Sequence, residues 1–393
     1  MDTVILQKRL RYLEDALEKQ DLYAFLFVDR EAINPSHIAR DIVGTGFVGL
    51  SAFLITQDGK RKAIVRGYDA DNIPKVYEVT EYETGFNKIL LQELEKMKGK
   101  KLALNYSPNL AGVDTLSHGT YLIIEEVLNK IPGLKTVSAE DVLISSVGRR
   151  FPEEIELFKK AVEITDEILD ETHHKYLKPS FTEIQVAKYM KCRMKSHEVE
   201  PAFDPDGCPI VATGKNTLNG HHKPAHVHIN RGDLVNIDFG VKYEGFCSDL
   251  TWTWYVPNEG EDEPPRRIEK MFNVLRIAAD AAIAAMKPGA ISHEIDSIPR
   301  KVISDAGFQG YPYGTGHTIG RTAHGIGPGL YPLNDTYKNQ GLRVLEEGNV
   351  ITVEPAIFDS EIGRVAVEDD VLVTRNGAVV LNKKQPVLFE IHG

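Results

Sequence analysis

Apolar residues first recur at helical spacing in residues 5–18, where Leu6, Leu10, Leu13 and Leu17 share one face. Residues 22–28 then form an apolar run short enough for a buried strand. Residues 51–56 and 62–66 flank Gln57-Asp58-Gly59-Lys60, and the Asp-Gly pair predicts a hairpin turn. Helical patterns cover 87–97 and 120–130, with a strand expected at 101–105 between them. No cluster of catalytic residue types falls in this stretch, which reads as an α/β scaffold.

The pattern changes near residues 147–152, where Gly148-Arg149-Arg150 precedes Pro152 at the start of a helix expected over 152–174. Ser180-Phe181-Thr182-Glu183 reads as a capping box opening a second helix to about residue 196. From 234 to 256 the pattern is β, with strands on either side of a turn at 242–245. Helices are expected at 265–286 and 292–306, separated by Lys287-Pro288-Gly289, and strands with Gly-rich loops follow. No fixed-period repeat or low-complexity tract is visible. At 393 residues the chain exceeds what one core usually fills, so two domains are expected, 1–150 and 151–393.

Composition narrows the function classes. Apolar residues at 42% and charged residues at 26% are ordinary for a globular protein with a sizeable core. A formal charge of -11 argues against a nucleic-acid partner and against docking on anionic lipid. The three cysteines, Cys192, Cys208 and Cys247, form no C-x-x-C, so neither a disulfide framework nor a zinc ribbon is indicated. The first twenty residues lack the apolar stretch of a signal peptide, and no run approaches the roughly 18 apolar residues of a membrane span. A cytoplasmic protein without a membrane partner is expected.

Candidate chemistry begins with Asp238, set inside the apolar run Leu234-Val235-Asn236-Ile237-Asp238-Phe239, and Asp249 on the returning strand. Buried carboxylates are costly unless paired or bound to a cation, and two on adjacent strands repel unless a multivalent ion lies between them. Taken alone, the pair could equally be solvated hairpin acids. Glu354 and Glu368 stand in further β-type runs, and His317 in the Gly-rich turn Gly314-Thr315-Gly316-His317. Four carboxylates with one imidazole suit manganese, cobalt, iron(II) or zinc. Bridging carboxylates would set two such ions about 3.5 Å apart, an arrangement for activating water and polarising a carbonyl.

The segments Asn236-Ile237-Asp238-Phe239-Gly240, Ser248-Asp249-Leu250-Thr251, Gly314-Thr315-Gly316-His317-Thr318-Ile319-Gly320, Thr352-Val353-Glu354-Pro355 and Val367-Glu368-Asp369 occur in one order. The aspartates are eleven apart and the glutamates fourteen apart. The set resembles the pita-bread metallopeptidases: methionine aminopeptidase, aminopeptidase P and prolidase, with creatinase as a metal-free relative. The resemblance covers about residues 152–377 well and the first 150 more loosely. It implies an α+β fold, a pita-bread catalytic domain preceded by a smaller α/β creatinase-like domain. It also implies that Asp238 binds one of two divalent ions, His317 and Glu354 the other, with Asp249 and Glu368 bridging. Glu354 would shuttle protons. His221, seventeen residues before Asp238, and His324, seven after His317, would contact the substrate and stabilise developing charge. The implied protein is a homodimer that cleaves the X-Pro bond at the N-terminus of dipeptides or short peptides.

Three departures bear on the substrate. Gly325 stands where many relatives carry Glu, Ala366 stands where an Arg is common with Arg364 two residues further back, and the stretch 325–349 is long. A related two-metal aminopeptidase, a non-peptide C–N hydrolase and a binding protein without catalysis are the alternatives. Intact ligand positions count against the last. His222, His226 and His228 read as solvated loop residues, and Cys247 as a packed thiol. Gly314-x-Gly316 lacks the βαβ context and the Lys of a nucleotide loop. Trp252, Trp254, Tyr311 and Tyr313 are core aromatics first and pocket candidates second.

Overall fold

The apolar run after the first helix forms the strand Ala24–Asp29, buried on both faces as a central strand requires. A computed structural model describes residues 3–32 and 38–392. The chain divides by its internal contacts into two units, Met1–Arg149 and Arg150–Gly393. In the first, a six-stranded sheet runs from edge to edge as Glu78–Tyr82, Arg61–Arg66, Ser51–Thr56, Ala24–Asp29, Lys101–Leu104 and Lys135–Ser138. Gly59 (φ 84°) closes the tight turn between the two antiparallel strands Ser51–Thr56 and Arg61–Arg66. Leu6, Leu10, Leu13 and Leu17 of the helix Thr3–Lys19 are all buried. Leu26, Leu54, Leu90, Leu102 and Ile124 share a single core cluster between sheet and helices.

The second unit is α+β, with two helix pairs packed on mainly antiparallel strands. The helices Pro152–Glu171 and Glu183–Ser196 cover a four-stranded sheet ordered Phe389–Glu390, Leu250–Tyr255, Leu234–Phe239 and Ile210–Thr213. Ile168, Met190, Ile237, Phe239 and Trp254 meet in that core. The helices Arg266–Ala285 and Ser292–Asp305 pack their Phe272, Leu275 and Ile295 against Ile351, Val353, Val365 and Val371. Those four belong to the strands Val350–Val353, Gly363–Ala366 and Asp369–Thr374.

Two local expectations shift. Ser180 has φ 70°, left-handed where a side-chain N-cap is typically extended, and the cap falls two residues later at Thr182 (φ -94°, ψ 155°). Thr182 and Gln185 exchange hydrogen bonds there as a capping box. The helix expected over 152–174 stops at Glu171 and widens into a π-turn over Thr172–Tyr176, where the Thr172 hydroxyl donates back to the Ile168 carbonyl at 2.6 Å. Among the described residues no helix is long and apolar enough to cross a membrane.

Candidate metal centre and substrate cavity

Strand pairing brings acids that are distant in sequence to one place. Leu234–Phe239 and Leu250–Tyr255 run antiparallel with Asp238 opposite Thr251. Thr251 then bridges to a third segment: its carbonyl accepts the Glu368 amide at 3.0 Å, and its hydroxyl donates to Glu368 Oε2 at 2.9 Å. Asp249 lies in the break between Phe246–Cys247 and Leu250–Tyr255, where its amide donates to Asp370 Oδ2 at 3.0 Å. The carboxylate of Asp370 thereby orients the backbone that carries Asp249.

The glycines around His317 are needed for close approach. A Cβ on Gly316 would lie 1.8 Å from the Thr352 carbonyl oxygen, so only glycine lets this turn lie against the strand Val350–Val353. The Thr352 amide donates to the His317 carbonyl at 2.9 Å, and the Thr352 hydroxyl accepts the His317 amide at 3.0 Å. That hydroxyl also lies 3.3 Å from Glu354 Oε1, to which it donates. One threonine thus holds two of the candidate residues in register.

Asp249, His317 and Glu368 each present a donor atom, and these atoms lie within 4.8 Å of one another. His317 Nε2 is 3.3 Å from Glu354 Oε1 and 3.9 Å from Asp249 Oδ2. Asp238 and Glu354 fall outside that tightest group but line the same cavity, of about 750 Å³. His221 and His324 line it too, and the His324 ring sits edge-on to that of His317 at 4.2 Å. Phe203, Tyr313, Tyr331 and Phe358 supply apolar wall.

The electrostatics are those of an anionic cage. Burial pushes Asp238 up to about 6, with Arg364 opposing. Burial, then the charge of Asp238, raises Glu354 to about 8. Asp249 and Glu368 are driven well above the usual carboxylate range by burial and by their neighbours' charges. Burial holds His317 neutral, its pKa lowered to about 3, and His324 is lowered for the same reason. With Nδ1 donating to the Thr318 carbonyl at 3.4 Å, Nε2 turns its lone pair toward the carboxylates.

These residues fit divalent cations. Asp249 Oδ1 is buried without a hydrogen-bond partner, an arrangement that costs free energy unless a cation meets it. Hard carboxylate oxygens with one neutral imidazole are the donors that borderline divalent ions prefer. A multivalent cation would relieve the repulsion that helps raise Asp249, Glu354 and Glu368.

Several residues have roles at the site that a reading of the sequence does not assign. Thr251 and Thr352, which hold the glutamates, lie two residues from Asp249 and Glu354 in short motifs, the signal that could have found them. Arg364 lines the cavity from the strand Gly363–Ala366 and is only 6% exposed, with Nε lacking a partner. Among the described residues no carboxylate pairs with it. Tyr331 and Tyr337, on the long stretch after His324, stack at 4.5 Å and also line the cavity. Of the aromatics weighed for the pocket, Tyr313 lines it, whereas Trp252 and Trp254 pack against each other and Phe389 in the core.

Comparison with known proteins agrees with the class of site. The profile of metallopeptidase family M24 matches residues 156–375. An Xaa-Pro dipeptidase of Pyrococcus furiosus is 31% identical over 369 residues, covering 92% of this chain and 97% of the relative. An uncharacterized peptidase of Bacillus subtilis is 30% identical over 373 residues, covering 92% and 96%. Among solved structures, a prolidase from Pyrococcus horikoshii superposes with a TM-score of 0.70 at 26% identity, covering 96% of this chain and 98% of its own. An Xaa-Pro dipeptidase from Bacillus anthracis shares the fold, with a TM-score of 0.77 at 24% identity over 98% of this chain and all of its own. The chain belongs to metallopeptidase family M24, a family of metal-dependent peptidases with the pita-bread fold.

Proposed function

We propose that the chain is an Xaa-Pro dipeptidase that holds two divalent ions, manganese first among them, with Asp238, Asp249, His317, Glu354 and Glu368 as ligands. The observation that carries this is the grouping of Asp249, His317 and Glu368 on the floor of a cavity that also presents His221, His324 and Arg364. Bound there, the ions would lower the pKa of a water and polarise the scissile carbonyl. Asp249 and Glu368, the most enclosed of the four candidate acids, would help hold both ions.

The remaining steps belong to side chains. The Glu354 side chain is 25% exposed against 8% for Asp249, so it is the more open of the two to a substrate in the cavity. It takes the proton of the attacking water and returns it to the departing proline nitrogen. His221 and His324 donate hydrogen bonds to the substrate carbonyl and the leaving side, where charge develops. An X-Pro amide lacks an N–H, so recognition must come from its carbonyl, its ring and its termini. Tyr313, Tyr331 and Phe358 offer apolar surface for the ring. Arg364, a buried guanidinium without an ion pair among the described residues, offers a receptor for the terminal carboxylate of a dipeptide.

The names of relatives support this reading, since the Pyrococcus proteins are called Xaa-Pro dipeptidase or prolidase. The cysteines, all free thiols, suit a reducing cytoplasm, and a homodimer is the assembly we expect. We assign 1–150 to a creatinase-like domain and 151–393 to the catalytic one. The test is hydrolysis of Ala-Pro, Ala-Ala and Ala-Pro-Ala by metal-loaded protein. Preference for Ala-Pro is expected; preference for Ala-Ala would overturn the named activity.

A further inference from the structure

We propose that Glu183 is a positioning residue that sets the direction of His221 by clamping both ends of the loop 213–225. Glu183 begins the helix Glu183–Ser196 and is fully buried. Its carboxylate accepts four hydrogen bonds, all from that one loop. Oε1 receives the Thr213 amide and Asn216 Nδ2, each at 2.9 Å. Oε2 receives His222 Nε2 at 2.7 Å and the Ala225 amide at 2.9 Å. Two donors come from the beginning of the loop and two from its end. A buried carboxylate is tolerated where its lone pairs are all met, and a helix N-terminus further favours its charge.

His221 stands directly before His222, yet lines the cavity while its neighbour turns to Glu183. Its amide donates to Asn219 Oδ1 at 3.1 Å. Among the described residues nothing hydrogen-bonds the His221 ring, so its direction depends on where the loop backbone is held. That backbone also lies against Arg364: a Cβ on Gly220 would sit 2.7 Å from Arg364 Nη1. Glu183 therefore touches no substrate but decides where a substrate-contacting imidazole points. Misplacement of such a group by about 1 Å costs roughly a hundredfold in rate. The assignment rests on the peptidase activity proposed above.

The test is a double-mutant cycle on the metal-loaded protein. Glu183→Gln keeps the volume, but its amide group cannot accept from four donors. We expect kcat/KM for Ala-Pro to fall roughly tenfold to a hundredfold with metal content unchanged. In a His221→Ala background the same substitution should cost less than about twofold, because the group it aims is gone. His222→Phe removes one arm of the clamp and should show a smaller fall, absorbed in the same way; it decides the matter if Glu183→Gln does not fold. Equal losses in both backgrounds, or no loss in the first, overturn the proposal. The imidazole resonances of His221 give a readout free of turnover. They should shift or broaden in Glu183→Gln, and unchanged resonances overturn the proposal even in a protein that cleaves no X-Pro bond. Absence of Ala-Pro cleavage by the unsubstituted protein would instead count against the peptidase function itself.

Discussion

Replacing Arg364 by methionine separates recognition of a dipeptide from the chemistry of its hydrolysis. The guanidinium is 6% exposed and meets no carboxylate among the described residues, so its hydrogen-bonding capacity toward a ligand is unspent. Hydrogen bonds to charged groups contribute about 1.5–3 kcal/mol each, and removing one partner of a buried charge pair costs about 3–5 kcal/mol. Taking about 3 kcal/mol, kcat/KM for Ala-Pro should fall roughly a hundredfold in Arg364→Met. For Ala-Pro amide, which carries no terminal carboxylate, the change should stay within about threefold. Arg364 also opposes the rise of Asp238 and Glu354, so its loss makes the cage more negative and should not empty it of metal. The assay is steady-state hydrolysis of both substrates at saturating manganese, with bound metal counted by atomic spectrometry. Equal losses on the acid and the amide, or loss of metal, would refute carboxylate recognition by Arg364.

Other outcomes follow from the same geometry. Glu368→Gln should lose bound metal and nearly all turnover, read by metal analysis beside activity, because its carboxylate sits in the tightest donor group. His324→Ala should retain its metal and lose roughly a hundredfold in kcat, the typical cost of one transition-state donor. Asp166 titrates near pH 7 because burial raises it, so the stability it contributes is present below about pH 4 and is lost as pH climbs through about 7. Asp166→Asn should accordingly flatten the fall in melting temperature between pH 5 and 8, and melting curves across that range check it.

What could be read from the sequence was whatever resides in short segments. Each metal-site candidate stands in a β-type run or a Gly-rich turn of a few residues, and an acid in such a run is conspicuous because burial makes it expensive. Periodicity likewise places the helix Thr3–Lys19, and the Asp58-Gly59 pair places the hairpin turn. What could not be read depends on contacts across the chain. The bond from Thr251 to Glu368 spans 117 positions, and nothing local to either residue announces it. Glu183 looked like an ordinary helix-opening acid until the loop from Thr213 to Ala225 folded over it. Trp252 and Tyr313 were indistinguishable as aromatics; packing sent the tryptophan to the core and the tyrosine to the cavity. Ser180 offers the same capping chemistry as Thr182, and only the backbone conformation decides between them.

We propose the cage of Asp238, Asp249, His317, Glu354 and Glu368 as a two-ion centre for cleaving X-Pro dipeptides. Its most direct test is titration of chelator-stripped protein with manganese while bound metal and Ala-Pro hydrolysis are followed together. Turnover should be absent without metal, rise with occupancy, and reach its plateau at two ions per chain. Full Ala-Pro hydrolysis by metal-free protein, or metal binding that restores no peptide cleavage, would contradict it.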